Sequence, residues 1–314
     1  MNYLFVLGNA PELAEEELAA VLPAGRQVYP DFDRLGGTIK IAEIFDTDIV
    51  AELTRDKKPG DRIIFGLSGE ASYDDSRQIK RQLEELGFKA RFVLPKDNDP
   101  ELSSVVVSKQ KVTEIYLVEG IKAKTIWVQD FEAWNRRDYG RPAVDPHIGM
   151  LPPKVARMMV NVSRGQNILD PFCGVGTILA EALTLGLSTI GADINPDQIT
   201  KTKKNLDWLG KTCPLYLCDA RQIATKLAPA SIDAIVTEPF LGPADQPALE
   251  KLYLESLANW QKILTPGGRV VIALPFHIDK AKVMGYSFAA GPYEYFRPQA
   301  KIKRFIHILT YGTH

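Results

Sequence analysis

Short apolar runs alternate with stretches of helical period along the second half of the chain. Four of the runs end in an acidic residue, and a fifth run is almost wholly apolar. Between them, apolar residues recur three or four positions apart, as in a helix that packs on one face. This alternation predicts an α/β domain with a mainly parallel sheet. The predicted strands are 167–170, 188–193, 215–219, 231–238 and 269–274, and the predicted helices are 149–161, 177–185 and 247–264.

The first half of the chain combines shorter strands with two helices. Alternating short strands and helices favour small α+β domains over repeats or disorder. Residues 129–142 have no period and carry two aromatic residues among charges, so we interpret them as the interdomain connection. The predicted strands are 3–7, 37–42, 61–68, 89–94, 104–108, 114–118 and 125–129, and the predicted helices are 11–22 and 74–86.

Composition narrows the class of protein. The 314 residues are enough for two domains, and the formal net charge of −1 gives no overall basic signal for nucleic acid. The three cysteines are too few for a disulfide framework, and the histidines are scattered, so no metal site is predicted. The sequence shows neither a leader pattern nor a stretch apolar enough to span a bilayer. These features predict a cytoplasmic protein with no membrane partner.

A tight loop after the first strand of the second half carries the clearest chemical signal. It leads from an acid through a Gly-x-Gly turn to a threonine that opens a helix. Such glycines let the backbone approach a ligand, and the helix start offers N–H groups to an anion, so a nucleotide-type ligand is predicted. A dinucleotide fingerprint would need a third glycine where this chain has Leu179. The predicted ligand-binding residues of the loop are Asp170, Pro171, Phe172, Cys173, Gly174, Gly176 and Thr177.

The next three strands also end in acids. Asp193 ends the second strand, where a carboxylate can hold both hydroxyls of a ribose. Asp219 ends the third strand and Glu238 the fourth.

This order of motifs resembles the S-adenosylmethionine-dependent methyltransferases with a Rossmann-like sheet. The run Asp-Pro-Phe-Cys-Gly-x-Gly-Thr resembles the branch that methylates exocyclic amino groups of nucleic-acid bases. The resemblance spans about residues 141–311. It implies a Rossmann-like methyltransferase sheet closed by an antiparallel hairpin at 293–309, with S-adenosylmethionine as cofactor. It further implies that loop 170–177 wraps the methionine portion, Asp193 holds the ribose hydroxyls, and Asp219 with Ala220 meets the adenine; Ile194 is also implied to contact the cofactor.

Three stretches of the first half, 63–68, 77–81 and 102–107, resemble a THUMP-type RNA-binding domain. Segments 137–142 and 149–154 resemble the tRNA guanine-N2 methyltransferases, in which the second of these segments closes over the methionine end of the cofactor. The resemblance therefore implies RNA, tRNA in particular, as the partner, and no motif specifies an activating subunit. The implied domains are a ferredoxin-like segment 1–60, a THUMP-like domain 61–130, a linker 131–142 and a methyltransferase domain 143–314.

The fourth strand end is the place expected for catalysis. An exocyclic amine is a poor nucleophile because its lone pair is delocalised into the ring, so transfer needs in-line approach and hydrogen-bond acceptors. The family motif is Asp or Asn, Pro, Pro, then Tyr or Phe, whereas this chain has Glu238-Pro239-Phe240-Leu241. The resemblance implies that Glu238 and the Pro239 carbonyl accept from the amine and that Phe240 contacts a flipped base. The alternative for Phe240 is a buried residue at a strand end.

The expected function is therefore transfer of a methyl group from S-adenosylmethionine to the N2 amine of a guanine in RNA, with tRNA as the leading substrate. One alternative is an adenine or cytosine amino-methyltransferase that acts on DNA or another RNA. A second alternative, favoured by the departures in the Glu-Pro-Phe-Leu motif, is a protein that binds cofactor and RNA but has lost catalysis.

Overall fold

The structure is a computed structural model and describes residues 2–22, 32–97, 99–145, 150–239, 246–279, 282–297 and 302–312. The chain forms two compact units, residues 1–8 with 38–132 and residues 9–37 with 133–314. In chain order the elements are β1 (Tyr3–Leu7), α1 (Pro11–Val21), β2 (Thr38–Ile44), α2 (Ile49–Thr54), β3 (Arg62–Gly69), α3 (Tyr73–Glu85), β4 (Lys89–Val93), α4 (Ser104–Gln110), β5 (Thr113–Val118), β6 (Ile121–Val128), α5 (Phe131–Tyr139), α6 (Pro153–Ser163), β7 (Asn167–Asp170), α7 (Thr177–Thr184), β8 (Ser188–Asp193), α8 (Pro196–Trp208), β9 (Leu215–Leu217), β10 (Ile232–Thr237), α9 (Gln246–Trp260), β11 (Leu264–Leu274), β12 (Tyr286–Arg297) and β13 (Ile302–Tyr311).

The first unit is an α+β domain on one six-stranded sheet, ordered β1-β2-β6-β5-β3-β4. Strand β3 runs parallel to β4 and β5, and the remaining neighbours are antiparallel. Helices α2 and α3 cover one face, where Phe65 and Leu83 are fully buried. Helix α3 begins where the sequence indicates, because Ser72 and Asp75 form a reciprocal capping box.

The strand predicted at 104–108 is wrong, because these residues form helix α4. The Ser103 hydroxyl accepts a hydrogen bond from the Val106 amide and so caps the helix. Val107 is buried with Leu102 and Val112 on the sheet face opposite α3. Three successive valines favour a strand locally, but the cap and the packing of Val107 override that preference.

The connection predicted to be irregular at 129–142 contains helix α5. The Asp130 carboxylate accepts from the Glu132 amide at the start of this helix. Trp134 is only 7% exposed, and the Arg137 guanidinium lies 4.2 Å from the centre of its ring. Trp134 is thus the only buried side chain that α5 contributes among the described residues. A single buried residue gives no repeating apolar pattern, so the sequence did not predict this helix.

The second unit has a seven-stranded mixed sheet, ordered β12-β13-β11-β10-β7-β8-β9. Strands β7 to β11 are parallel to one another, whereas β13 is antiparallel to both of its neighbours, β11 and β12. This confirms the predicted Rossmann-like sheet and its closing hairpin. The order of the strands changes direction between β7 and β10: β8 and β9 lie on one side of β7, and β10 and β11 lie on the other. Ligands of such sheets bind at the carboxyl ends of the strands beside that point.

Residues 9–37 belong to the second unit, so the predicted boundary of a separate 1–60 segment is wrong. Helix α1 packs on α6, and the buried Glu17 carboxylate accepts from the Gly36 and Gly37 amides at 2.9 and 2.8 Å. The Asn161 amide of α6 donates to the same carboxylate at 2.6 Å. A Cβ atom on Gly37 would lie 2.4 Å from the Cβ of Ala14, so only glycine allows this close approach. These contacts join residues far apart in the sequence, which local patterns do not reveal.

No helix among the described residues is long and apolar enough to cross a membrane. No group of three or more histidine, cysteine, aspartate or glutamate side chains in the same residues could hold a metal ion.

Candidate active site

The Gly-x-Gly loop connects β7 to α7 at the carboxyl edge of the second sheet. Gly176 caps α7 with a φ of +85°, and a Cβ atom there would lie 2.9 Å from Cγ2 of Thr202. Gly174 also has a positive φ, of +51°. Glycine is favoured at both positions because other residues are strained in this conformation, and at Gly176 the contact with Thr202 excludes a Cβ atom as well.

The loop borders a cavity of about 380 Å³ in the second unit. A cavity of this size is within the range of small-molecule and cofactor sites. Eleven of the predicted site residues line it: Asp170, Pro171, Phe172, Cys173, Gly174, Thr177, Asp193, Ile194, Asp219, Ala220 and Glu238. Three predicted site residues remain. Gly176 and Pro239 are not among the described residues that line the cavity, and Phe240 lies outside the described residues.

Asp193 fixes two loops of the cavity. Its Oδ2 accepts from the Gly174 amide at 3.0 Å, and its Oδ1 accepts from the Asn195 amide at 2.8 Å. Burial raises the pKa of the Asp193 carboxyl above its ordinary value. The carboxylate predicted to hold a ribose therefore also positions the backbone of the glycine loop.

Asp170, at the end of β7, lines the cavity and is buried. It is 1% exposed and accepts from the Thr237 hydroxyl at 2.7 Å and from the Phe172 amide at 3.2 Å. Burial raises the pKa of Asp170 to about 7. Its principal partner, Thr237, comes from β10, so this hydrogen bond joins the two strands beside the reversal of strand order.

Asp219 is held by a residue that the sequence did not single out. Arg221 donates to both carboxylate oxygens of Asp219, at 2.6 Å from Nη2 to Oδ2 and 3.0 Å from Nε to Oδ1. This hydrogen-bonded pair keeps the pKa of Asp219 below its ordinary value. Arg221 also lines the cavity and reaches Glu255 of α9 at 3.3 Å.

A second polar group missed by the sequence lies near the start of α8. The Asp145 carboxylate accepts from the Gln198 amide at 2.8 Å and from the Lys201 ammonium at 2.9 Å. Gln198 is 6% exposed and lines the cavity, and its Oε1 has no hydrogen-bond partner within the described part of the chain. Glutamine on a helix with a polar face carries no sequence signal. Only its position one turn after the second strand end could have suggested it.

Met150 and Leu151 line the same cavity. They belong to the segment that the sequence resemblance places over the methionine end of the cofactor. The remaining lining residues that the sequence did not predict are Val175, Ile178, Asn195 and Leu252.

Glu238 follows β10 and is paired with Arg304 of β13, with 3.0 Å between Arg304 Nε and Glu238 Oε1. Both side chains are nearly buried, at 10% and 9% exposure. The pair places a carboxylate on the cavity wall at the strand end where catalysis was predicted.

The donor and acceptor set fits S-adenosylmethionine. That molecule carries an ammonium group, a sulfonium, a ribose diol and an adenine amine, which are cations or hydrogen-bond donors, and one carboxylate, to which the N–H groups at the start of α7 can donate. The cavity presents acceptors in the carboxylates of Asp170, Asp193, Asp219 and Glu238, and apolar wall at Phe172 and Ile178. Charge-assisted hydrogen bonds of this kind are the strong ones in protein sites.

Comparison with known families decides the class of this fold. The profile of the RMKL-like methyltransferase domain matches residues 141–297, which include every strand from β7 to β12. The chain belongs to the RMKL-like methyltransferase family. Its methyl donor is S-adenosylmethionine, which the cavity is suited to bind.

Individual relatives of this methyltransferase carry RNA-related names. It is 35% identical over 180 residues to a tRNA (guanine(10)-N2)-dimethyltransferase of Methanothermobacter thermautotrophicus, covering 55% of this chain and 52% of that protein. This chain thus spans about half the length of that relative. A protein of the same name from Pyrococcus abyssi is 26% identical over 98% of this chain and 99% of its own. TrmN from Thermus thermophilus shares the fold, with a TM-score of 0.54 at 16% identity over 98% of both chains.

A DNA methylase profile also matches, over residues 39–204. This range takes in most of the first unit and ends in α8, before β9 and β10. It therefore leaves out five of the seven strands of the second sheet, β9 to β13, and the Glu238 site.

Proposed function

We propose that this methyltransferase transfers a methyl group from S-adenosylmethionine to the exocyclic N2 amine of a guanine in RNA, and that tRNA is its substrate. The observation that carries the proposal is the position of Glu238. Its carboxylate lies on the same cavity as the glycine loop and Asp193. The names of the curated relatives, which are tRNA guanine-N2 methyltransferases, support guanine as the target.

Cofactor binding is assigned to two carboxylates and the glycine loop. Asp193 accepts from the ribose hydroxyls, Asp219 accepts from the adenine amine, and loop 170–177 surrounds the methionine portion. Gln198 is added to this set because its unpartnered Oε1 can accept a further hydroxyl or amine. When bound, S-adenosylmethionine supplies a methyl group activated by a positive sulfur.

Glu238 and the Pro239 carbonyl act on the target amine. Two acceptors on its hydrogens localise the nitrogen lone pair and hold it in line with the methyl carbon. With S-adenosylmethionine bound, that lone pair would form the nitrogen–carbon bond while the carbon–sulfur bond breaks and its electrons pass to sulfur. One amine proton then leaves to solvent. Phe240 is assigned to contact with the flipped guanine.

The first unit is proposed to be a THUMP-like domain that positions RNA. Supporting this, Arg77 and Arg81 are exposed on α3, and Lys89 and Arg91 are exposed on the edge strand β4. Arg77 and Arg81 lie one turn apart on α3 and form a surface suited to phosphates. Arg91 donates to Gln110 of α4 and so lies on the other face of the sheet. The unit thus carries basic groups locally although the first half of the chain is acidic overall.

A second candidate is an adenine or cytosine amino-methyltransferase on DNA. The DNA methylase profile favours it. The same carboxylate and carbonyl acceptors would serve any of these amines, since all are exocyclic and conjugated with a ring.

Nucleoside mass spectrometry tests the proposal. Total tRNA and genomic DNA are taken from cells with and without the gene, and from cells in which the gene is restored. The proposal expects N2-methylated guanosine of tRNA to fall on deletion and to return on restoration. An unchanged tRNA profile together with lost N6-methyladenine or N4-methylcytosine in DNA would favour the second candidate.

A further inference from the structure

Glu238 does not stand alone at the end of β10. Arg304 reaches it from β13, although β11 lies between these strands in the sheet. Arg304 also donates from Nη1 to the Lys303 carbonyl at 3.1 Å, which fixes its guanidinium relative to the strand. With about nine-tenths of both side chains removed from solvent, the pair is shielded from screening by salt.

Other groups around the pair affect the charge of Glu238. Asp170 of β7 lines the same cavity, and its charge and that of Glu238 repel each other. On α9, the Tyr253 hydroxyl is buried without a hydrogen-bond partner among the described residues, and it senses the charge of Arg304. Within the described part of the chain, Arg304 of β13, Asp170 of β7 and Tyr253 of α9 are charged or titratable groups that surround this site.

A glutamate needs more restraint here than the aspartate usual in amino-methyltransferases. Its additional methylene adds a rotatable bond, and fixing such a bond costs conformational entropy. A guanidinium is planar, permanently charged and fixed in its hydrogen-bond directions, so it restrains a carboxylate better than an ammonium does.

We propose that Arg304 is the positioning residue that keeps Glu238 ionised and directed at the target amine. This inference rests on the proposed function of Glu238 and adds the residue on which that function depends. A protonated Glu238 would carry an O–H donor where the amine needs an acceptor. Arg304 takes no part in the covalent step: the lone pair of the amine nitrogen forms the new bond, the electrons of the carbon–sulfur bond go to sulfur, and the proton goes to solvent.

The test measures Glu238 directly and then its reaction. Side-chain carboxyl carbons of glutamate are labelled with ¹³C, and the Glu238 signal is assigned by its absence in Glu238→Gln. Its titration is followed in the wild type, Arg304→Gln and Arg304→Lys. Single-turnover methyl transfer to tRNA is then measured from pH 5 to pH 9 with the same proteins. Arg269→Gln on β11 is the matched control. Arg269 pairs with Thr310, at the end of β13 away from Arg304, and its guanidinium donates to the Val162 carbonyl of α6.

Loss of an adjacent opposite charge raises a carboxyl pKa by about 1–3 units. Arg304→Gln is therefore expected to raise the pKa of Glu238 by at least about 1 unit and to move the acid limb of the rate profile by the same amount. Arg304→Lys should have a pKa of Glu238 and an acid limb close to those of the wild type, and Arg269→Gln should change neither quantity. Thermal unfolding and binding of S-adenosylhomocysteine identify any variant that fails to fold.

Three outcomes separate the explanations. An unchanged titration of Glu238 in folded Arg304→Gln overturns the inference, whether or not the protein is active. If Arg304→Gln is active and raises the pKa of Glu238 but leaves the acid limb of the rate profile where it is in the wild type, the positioning role is overturned. If the wild type transfers no methyl group, the proposed function fails, and the titration still decides whether Arg304 keeps Glu238 ionised.

Discussion

At the scale of single residues, the site rests on carboxylates that differ in their surroundings. Asp193 braces two loops through the Gly174 and Asn195 amides, Asp219 is paired with Arg221, and Asp170 is buried. The sequence predicted these acids because each ends a strand of one parallel sheet. It did not predict Arg221 or Gln198, because neither residue lies at a strand end and both occur commonly on exposed surfaces.

Asp193 should be the residue whose loss most weakens cofactor binding. A hydrogen bond to a charged group contributes about 1.5–3 kcal/mol, so Asp193→Ala should weaken binding by roughly one to two orders of magnitude. Calorimetry with S-adenosylhomocysteine measures the effect. Asp193→Asn, which keeps an acceptor oxygen, should lose less. Equal affinity of the folded alanine variant and the wild type would refute the assignment.

Asp170 should make stability depend on pH. Its pKa in the folded protein, about 7, exceeds the ordinary value of 3.8, so the folded state binds the proton more tightly than the unfolded state. The stability that this group contributes is therefore present below about pH 4 and is lost as the pH rises through 7. Asp170→Asn should stabilise the unliganded protein by about 1–4 kcal/mol at pH 8 and by little at pH 4. Thermal unfolding across this range measures the difference, and a constant difference would contradict it.

At the scale of elements, the sequence predicted strands better than it predicted contacts between distant segments. Strands β7, β8, β10 and β11 were found because apolar runs with polar ends mark a buried sheet. Helix α4 was missed because successive valines outweighed the capping signal of Ser103. The place of α1 in the second unit depends on Glu17 meeting Asn161 of α6, which no local pattern contains.

Glu17 should anchor α1 to the catalytic unit. Replacement by alanine leaves the Gly36, Gly37 and Asn161 donors without their acceptor, and an unsatisfied buried donor costs about 1–3 kcal/mol. Glu17→Ala should therefore destabilise the protein by roughly 2–4 kcal/mol in urea unfolding. Glu15→Ala, which removes an exposed acid from the same helix, is the control and should change little. Equal midpoints for both variants would show that the carboxylate does not anchor α1.

At the scale of the whole molecule, residues 9–37 interrupt the first unit in sequence and belong to the second. A single cut near Trp134 would therefore remove α1 from the catalytic unit along with the proposed RNA-positioning domain. Charge reversal on the first unit is a cleaner way to test that domain.

Arg77→Glu combined with Arg81→Glu should weaken tRNA binding and leave S-adenosylhomocysteine affinity unchanged. If both arginines contact phosphates, the slope of log affinity against log salt should fall by about 2. Gel-shift titration at two or more salt concentrations measures this. Lys57→Glu combined with Lys58→Glu, an equal charge change at another exposed position of the same unit, is the control. Equal loss in both pairs would indicate a general charge effect and contradict a defined RNA surface on α3.

The most direct measurement is single-turnover transfer from labelled S-adenosylmethionine to unmodified tRNA, followed by nucleoside mass spectrometry. The wild-type protein should yield N2-methylguanosine. Glu238→Gln should bind S-adenosylhomocysteine normally and transfer roughly 10²–10³ times more slowly, as expected for loss of one preorganised electrostatic contact. Label found only on adenine or cytosine, or a wild-type rate in Glu238→Gln, would contradict the account.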